Sequence, residues 1–240
     1  MITGLVVALP EELTTLTSKK IEKGDCLFIT EQLLVAYSGA GPTNATVAAE
    51  LLVAKGATRL ISWGCAAALG ASLKPGDLIL ADKLIDAENK EMDINADWHS
   101  YANHLLAKFL VVTRGCLAES VSIVSTSTDK KHLHSLTGAV ALDMESIAVA
   151  KVAKQYILPF LAFRVIVDPV EMSLPLAINY SLNDRGEIVL KKLLAFLFLH
   201  PAELPDLIKL GLNFNAAKKT LKSVAKQLDR VTDFSCDESI

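Results

Sequence analysis

Apolar runs of strand length alternate along this chain with segments whose apolar residues recur every three or four positions. The runs predict buried strands and the spaced segments predict helices. Predicted strands are Ile2 to Ala8, Leu33 to Tyr37, Arg59 to Trp63, Asp77 to Leu80, Ser120 to Val124, Val140 to Leu142 and Phe160 to Val167. Predicted helices are Pro42 to Lys55, Trp98 to Leu117, Asp129 to Leu136, Glu145 to Gln155 and a set beginning near Gly186.

This alternation is typical of an α/β fold. We predict a single domain with a central, mixed but largely parallel sheet flanked by helices, followed by a helical C-terminal segment. The chain has 240 residues, of which 51% are hydrophobic, so it can form one full core. We assign residues 1–231 to this domain and residues 232–240 to a polar tail.

Composition excludes several classes of protein. The net charge of -3 and the lack of a basic cluster argue against a nucleic-acid partner. The four cysteines lack metal-ligand spacing and do not suggest a disulfide scaffold, so we expect no metal, no cofactor and a cytoplasmic location. The N-terminus lacks the features of a signal peptide, and the longest apolar run, Leu193 to Leu199, is far shorter than the ~20 residues that span a bilayer.

Charged residues interrupt the last predicted strand. Arg164 lies inside its apolar run and Asp168 directly follows that run. The two side chains share one face of a regular strand but are roughly 13 Å apart, at about 3.3 Å per residue. Each charge therefore needs its own partner, because an unpaired buried charge is costly.

Polar or glycine-rich segments follow three other predicted strands. Glu11 and Glu12 follow the first, Ser38-Gly39-Ala40-Gly41 follows the second, and Asp143-Met144-Glu145-Ser146 opens a helix. Taken singly, acids at a helix start and glycines in a turn have structural explanations. Because strand ends of an α/β sheet form its binding edge, the segments together predict a ligand site. Cys65, among small residues after another strand, is interpreted as a buried hydrophobe rather than a nucleophile.

These segments resemble the nucleoside phosphorylase and methylthioadenosine/adenosylhomocysteine nucleosidase superfamily. The resemblance covers roughly residues 1 to 170 and rests on the order of six segments. They are Glu11-Glu12, Ser38 to Gly41, Gly64-Cys65-Ala66, Leu73 to Asp77, Asp143 to Ser146, and Pro159-Phe160 through Arg164 to Asp168. Further segments resemble the hopanoid-associated branch: Asp97-Trp98, Thr137-Gly138-Ala139, Leu174-Pro175 and Pro201 to Pro205.

The resemblance implies an enzyme that releases adenine from a nucleoside, with adenosylhopane as the substrate of the hopanoid-associated branch. By analogy, Asp168 protonates the purine at N7 and Glu12 activates or orients water. Glu145 binds the ribose hydroxyls and Met144 packs against the sugar. The other residues of the implied pocket are Arg164, Ser38 and Gly39. Ala67 and Ala68 depart from the glycine pair that is common in the family.

Other functions remain open. Phosphorolytic relatives hold phosphate near the first strand with basic residues, whereas this chain has Glu11 and Glu12 there, so we favour water as the nucleophile. The alternatives are a methylthioadenosine/adenosylhomocysteine nucleosidase, a purine nucleoside phosphorylase, and a non-catalytic nucleoside- or lipid-binding protein. We interpret Leu193 to Leu199 as a core helix; the alternative is a surface for a polycyclic lipid or for peripheral membrane contact. We also expect a homodimer or higher homo-oligomer.

Overall fold

The computed structural model describes residues 1–181 and 190–234. In these ranges the strands are β1 (Thr3–Val7), β2 (Cys26–Phe28), β3 (Leu33–Tyr37), β4 (Arg59–Ala68), β5 (Leu78–Ile85), β6 (Glu91–Asp93), β7 (Val112–Glu119), β8 (Ala141–Asp143) and β9 (Phe160–Asp168). The helices are α1 (Pro10–Leu13), α2 (Pro42–Ala54), α3 (Ala96–Leu106), α4 (Ser127–Thr137), α5 (Ser146–Gln155), α6 (Leu176–Ser181), α7 (Leu190–Leu199), α8 (Leu204–Ala225) and α9 (Leu228–Thr232). A 3₁₀ turn, Pro201–Glu203, precedes α8.

The strands form one mixed sheet, as the alternation of elements predicts. Its order is β2-β3-β1-β4-β8-β7-β5-β6, and β9 pairs with both β4 and β5. These pairings close β4, β9, β5, β7 and β8 into a ring, from which β1, β3 and β2 extend as an open sheet. Strands β1, β3, β4 and β9 run parallel, so their carboxyl ends lie at the same edge.

Helices cover both faces of the sheet. Alternate residues of β1 show the two layers, because Val6 packs with residues of α2 and α5 whereas Leu5 and Val7 pack with residues of α3, α8 and α9. Strand β9 is buried along its whole length. The predicted α/β fold with a helical C-terminal segment is confirmed.

Two sequence predictions between α3 and α4 are wrong. The predicted helix from Trp98 to Leu117 ends at Leu106, and Val112–Glu119 is strand β7. The predicted strand from Ser120 to Val124 lies outside β7, in the connection to α4. Strand β7 is not a continuous apolar run, and five of its eight residues are only half-buried and one is exposed, so the apolar pattern does not mark it.

The C-terminal region differs from the sequence interpretation at two places. The core-helix interpretation of Leu193 to Leu199 is wrong, because every residue of that segment is half-buried or exposed. Thr232, assigned to the polar tail, is the last residue of α9; it is buried, and its hydroxyl donates to the carbonyl of Leu228 at 2.9 Å. Phe234 contacts the ring of Tyr101. Residues 235–240 lie outside the described residues.

Candidate active site

Glu12 is fixed at the edge of the sheet by backbone amides. It lies in α1, directly after β1, and is 3% exposed. Its Oε2 accepts from the amides of Ala8 at 3.3 Å and Leu9 at 3.0 Å, and its Oε1 accepts from the amide of Cys65 at 2.7 Å. Burial raises the pKa of Glu12, while Arg164 and these three amides oppose the rise. The carboxylate therefore has a fixed position between the end of β1 and Cys65 of β4.

Arg164 is the centre of a buried polar network. Its Nε donates to Asp143 Oδ2, and its Nη2 donates to the hydroxyl of Ser62 at 2.6 Å. The hydroxyl of Ser146 joins the two partners, at 2.6 Å from Asp143 Oδ2 and 3.1 Å from Ser62 Oγ. Burial lowers the pKa of Arg164, but the nearby carboxylates of Asp143, Glu145 and Glu12 outweigh it and raise the pKa. Arg164 therefore stays cationic.

Gly64 provides the space in which Glu12 and Arg164 meet. Gly64 is the parallel neighbour of Arg164 in the sheet. A methyl group on Gly64 would lie 2.5 Å from Arg164 Nη1 and 2.6 Å from Glu12 Oε1. Both distances are far inside van der Waals contact. The space beside Gly64 is thus filled by two charged side chains of the protein itself.

Glu145 connects the start of α5 to the glycine turn before α2. Its Oε1 accepts from the amide of Gly41 at 2.8 Å, and its side chain is buried. Burial, and secondarily the charge of Asp143, raise the pKa of Glu145 to about 7. Gly41 has φ +97°, a left-handed conformation that favours glycine, so this turn needs the residue found there. Glu145 therefore changes protonation near neutral pH.

Asp168 ends β9 and has a different partner from Arg164. The ammonium of Lys130, in α4, lies 2.6 Å from Asp168 Oδ1. Lys130 Nζ also donates to the carbonyls of Met172 at 2.7 Å and Pro169 at 3.2 Å. Burial raises the pKa of Asp168, and Lys130 opposes the rise. Each charge on β9 thus has its own partner, as the spacing of Arg164 and Asp168 predicts.

The remaining predicted residues occupy varied positions. The hydroxyl of Ser38 lies 3.0 Å from the carbonyl of Val7 and 2.8 Å from that of Gly39, so it binds backbone rather than the carboxylates. Gly39 has φ +78°, and the side chain of Lys23 lies against it. Met144, which lies between Asp143 and Glu145 in the sequence, is half-buried. Burial raises the pKa of Cys65 well above its usual value, which fits an unreactive thiol.

Sequence reasoning missed two charged partners. Asp143 was interpreted as a helix-start acid, and its carboxylate does accept from the amide of Ser146, but it also pairs with Arg164. Nothing in the sequence pattern indicates a role for Lys130. No local signal distinguishes it, because Lys131 occupies the same helix turn and pairs at the surface. In the described part of the chain, no group of three His, Cys, Asp or Glu side chains is placed to hold a metal ion.

Comparison with known proteins agrees with this architecture. The solved structures most relevant here are two nucleosidases and a hydrolase. Helicobacter pylori 5′-methylthioadenosine/S-adenosylhomocysteine nucleosidase superposes with a TM-score of 0.70 at 19% identity, over 96% of this chain and 97% of that one. Helicobacter pylori futalosine hydrolase superposes with a TM-score of 0.69 at 20% identity, over 96% of this chain and 97% of that one. The Neisseria meningitidis 5′-methylthioadenosine/S-adenosylhomocysteine nucleosidase superposes with a TM-score of 0.71 at 18% identity, over 95% of this chain and 99% of that one.

At these identities the superpositions establish a shared fold. Residues 3–193 match the family described as the Phosphorylase superfamily, which is most of the chain and includes every residue of the site described above. The enzyme class predicted from the sequence, a nucleosidase or nucleoside phosphorylase, agrees with that match. The chain therefore belongs to the phosphorylase superfamily.

Proposed function

We propose that this protein cleaves the N-glycosidic bond of an adenine nucleoside and releases adenine. The observation that carries the proposal is the group of buried charges at one sheet edge, namely Glu12 and Arg164 against Gly64, Glu145 beside Gly41, and Asp168 at the end of the same strand as Arg164. Cleavage of this bond passes through an oxocarbenium-like sugar, which carboxylates stabilise. It also needs an acid that protonates the leaving base.

The proposed roles are those that the resemblance implies, and the surroundings of the residues support them. Asp168 is the acid for purine N7, because burial raises the pKa of its carboxyl towards the working range. Glu145 accepts hydrogen bonds from the ribose hydroxyls, since its second oxygen is not the one that Gly41 occupies. Glu12 orients the attacking water. Met144 packs against the sugar, and Gly39 provides close backbone approach next to Ser38, whose hydroxyl holds the turn in place.

Arg164 acts on the two glutamates. Its guanidinium lies against Gly64 of β4, and its charge opposes the rise in pKa that burial causes at both Glu12 and Glu145. It therefore keeps part of their carboxylate character for water and ribose. The hydrogen bonds to Asp143 and Ser62 fix its orientation. Arg164 is thus a site residue that sets the electrostatics of the pocket.

Water, rather than phosphate, is the proposed nucleophile. The position near the first strand carries the carboxylates of Glu11 and Glu12, and Glu12 has no freedom to turn away because three amides hold it. A phosphate placed there would meet a buried negative charge in a low-dielectric environment.

Adenosylhopane is the proposed substrate, with methylthioadenosine and adenosylhomocysteine as the alternatives. The H. pylori nucleosidase of the comparison has been crystallised with 5′-methylthioadenosine in its active site, which supports an adenine nucleoside. A lipid-linked nucleoside is supported by exposed apolar side chains beyond the site. We call them the apolar helix face: Leu194, Phe198 and Leu199 of α7 with Leu204, Ile208 and Leu212 of α8.

The apolar helix face also supports peripheral membrane contact. Phe198 is 86% exposed, and the residues of α8 recur every four positions along one side of that helix. Lys191 and Lys192, at the start of α7, are exposed near this face and would meet anionic lipid headgroups. Among the described helices, none has the length and apolarity needed to cross a bilayer. We further propose a cytoplasmic homodimer or higher homo-oligomer.

One assay separates these functions. Adenine release is measured with adenosylhopane, methylthioadenosine, adenosylhomocysteine and adenosine, each with and without phosphate. We expect release from the lipid-linked nucleoside, no dependence on phosphate and free sugar as the second product. A rate that saturates with phosphate and gives a ribose 1-phosphate would identify a phosphorylase. Tight nucleoside binding without adenine release would identify the non-catalytic alternative.

A further inference from the structure

Lys130 is a fully buried lysine that contacts the proposed general acid. Its side chain has 0% exposure, although it lies in the first turns of α4, where a positive charge opposes the helix dipole. Lysine is almost never fully buried unless it is paired. The neighbouring Lys131 shows the usual arrangement, with a half-exposed side chain paired to Glu171 at 2.8 Å. Lys130 therefore has a specific partner inside the protein.

Three oxygens surround the Lys130 ammonium: two carbonyl oxygens that accept hydrogen bonds and one carboxylate oxygen in an ion pair. They are Asp168 Oδ1 at 2.6 Å, the carbonyl of Met172 at 2.7 Å and the carbonyl of Pro169 at 3.2 Å. Pro169 and Met172 belong to the turn that follows β9. The lysine therefore holds both the carboxyl of Asp168 and the backbone directly after it, so that Asp168 cannot change its orientation independently.

The contact distinguishes the two oxygens of Asp168. Oδ1 is buried and forms an ion pair with Lys130 Nζ at 2.6 Å, but it accepts no well-directed hydrogen bond from any described group. The small exposure that the Asp168 side chain retains, 5%, lies away from Oδ1. Because Oδ1 is taken up by the ion pair, we infer that Oδ2 carries the proton towards a ligand.

The electrostatics of the pair suit an acid that must both hold and release a proton. Burial raises the pKa of Asp168 and lowers the pKa of Lys130, and each partner opposes the shift of the other. Among the described charged groups nearby, Lys131 and Glu171 pair at the surface, and Arg164 on the same strand pairs with Asp143. Lys130 is thus the cation that balances Asp168.

We propose that Lys130 is a positioning residue for Asp168 in the glycosidic cleavage proposed above. It fixes Oδ1, presents Oδ2 to purine N7, and compensates the carboxylate charge that appears on proton transfer. In that step the Oδ2–H bond breaks and the N7–H bond forms, the electron pair of the C1′–N9 bond passes to the purine, and water attacks C1′. The attacking water passes a proton to Glu12, and proton exchange through solvent then restores the acid form of Asp168 and the carboxylate of Glu12.

The test compares Lys130→Met and Lys130→Arg with Lys131→Met, which removes the adjacent surface lysine. We expect Lys130→Met to lower kcat for adenine release about tenfold or more, with KM changed less than threefold. Without the cation, the pKa of Asp168 rises further, so the descending limb of kcat against pH moves to higher pH. Lys130→Arg keeps the charge and retains most of kcat, and Lys131→Met matches the wild type. A wild-type kcat with an unmoved descending limb in Lys130→Met would overturn the proposal.

A double variant covers the case in which Lys130→Met fails to fold. Asp168→Asn with Lys130→Met contains no unpaired buried charge, and it should release adenine no more slowly than Asp168→Asn alone, because Lys130 acts through Asp168. A further loss in the double variant would contradict this. The carboxyl pKa of Asp168, followed by ¹³C NMR with Asp168→Asn for assignment, should be higher without the cation. This readout does not need turnover, so it separates failure of this proposal from failure of the proposed function, in which the wild type releases no adenine.

Discussion

Gly64 lies directly beside Arg164 in the sheet, and the space left by its missing side chain is shared by the guanidinium of Arg164 and the carboxylate of Glu12. This relationship explains how two opposite charges from different parts of the chain are buried together. Glu12 is held by three amides and Arg164 by Asp143 and Ser62, so neither side chain is free to withdraw.

Gly64→Ala should therefore damage the site. The new methyl group would lie 2.5 Å from Arg164 Nη1 and 2.6 Å from Glu12 Oε1, and relief requires breaking a buried hydrogen bond. We expect a loss of about 1–3 kcal/mol in the free energy of unfolding and a fall of at least about tenfold in kcat/KM, since positioning errors of this size are costly. Chemical denaturation and steady-state kinetics measure the two effects.

Gly70→Ala is the matched control, because a methyl group there comes no closer than 3.8 Å to any atom, the carbonyl of Val140. It should change neither stability nor rate appreciably. Equal effects of the two substitutions would show that the close approach at Gly64 has no functional importance.

Asp168→Asn should abolish cleavage while the protein stays folded. An amide cannot give an acidic proton to the purine, and loss of a general acid costs at least about 100-fold in rate. The measurement is adenine release under single-turnover conditions, together with a thermal unfolding curve. A variant that folds and turns over at nearly the wild-type rate would remove Asp168 from the mechanism.

The free energy of unfolding should decrease as pH rises, because of Glu145. Its pKa is about 7 in the folded protein, above the value of an unfolded glutamate, so the fold binds the proton more tightly. The stabilisation that comes from protonated Glu145 is fully present below pH 4.5 and is lost as pH rises through about 7. The loss in the free energy of unfolding is at most about 3 kcal/mol. The raised pKa values of Glu12 and Asp168 act in the same direction. Urea unfolding at pH 5, 6, 7 and 8 measures the slope.

Glu145→Gln should flatten that slope, since glutamine does not titrate. Glu11→Gln is the control, because Glu11 is the exposed neighbour of Glu12 and should leave the slope as it is. A slope of wild-type steepness in Glu145→Gln would assign the pH dependence to other groups.

The apolar pattern predicted strands β1, β3 and β9 closely because each is a continuous buried run. It failed at β7, where Thr113, Arg114 and Gly115 interrupt the run, and Gly115 is needed there because Val140 packs against it. Strands β2 and β6 have three residues each, too few to show a period.

The strand-end carboxylates and Arg164 were predictable because charge is unusual at a buried strand end. The pairing of Asp168 with Lys130 was not, because Lys130 comes from a polar helix whose sequence is that of a solvated surface. Its burial depends on how α4 packs over the turn after β9, which no local pattern encodes. The same applies to Asp143, which has a sufficient local explanation as a helix-start acid.

The apolar helix face predicts that the enzyme prefers a lipid-linked nucleoside. A triterpenoid would bury several hundred Å² of hydrocarbon, which at about 25 cal/mol per Å² is worth several kcal/mol of gross binding energy that a small polar nucleoside lacks. Phe198→Ser with Ile208→Ser should therefore raise KM for adenosylhopane at least about tenfold and reduce sedimentation with anionic vesicles, without affecting cleavage of methylthioadenosine. Val111→Ser, at an exposed apolar residue distant in sequence from this face, should have neither effect. Efficient cleavage of methylthioadenosine, with adenosylhopane a poor substrate for the wild type and unaffected by the double substitution, would select the small-nucleoside function instead.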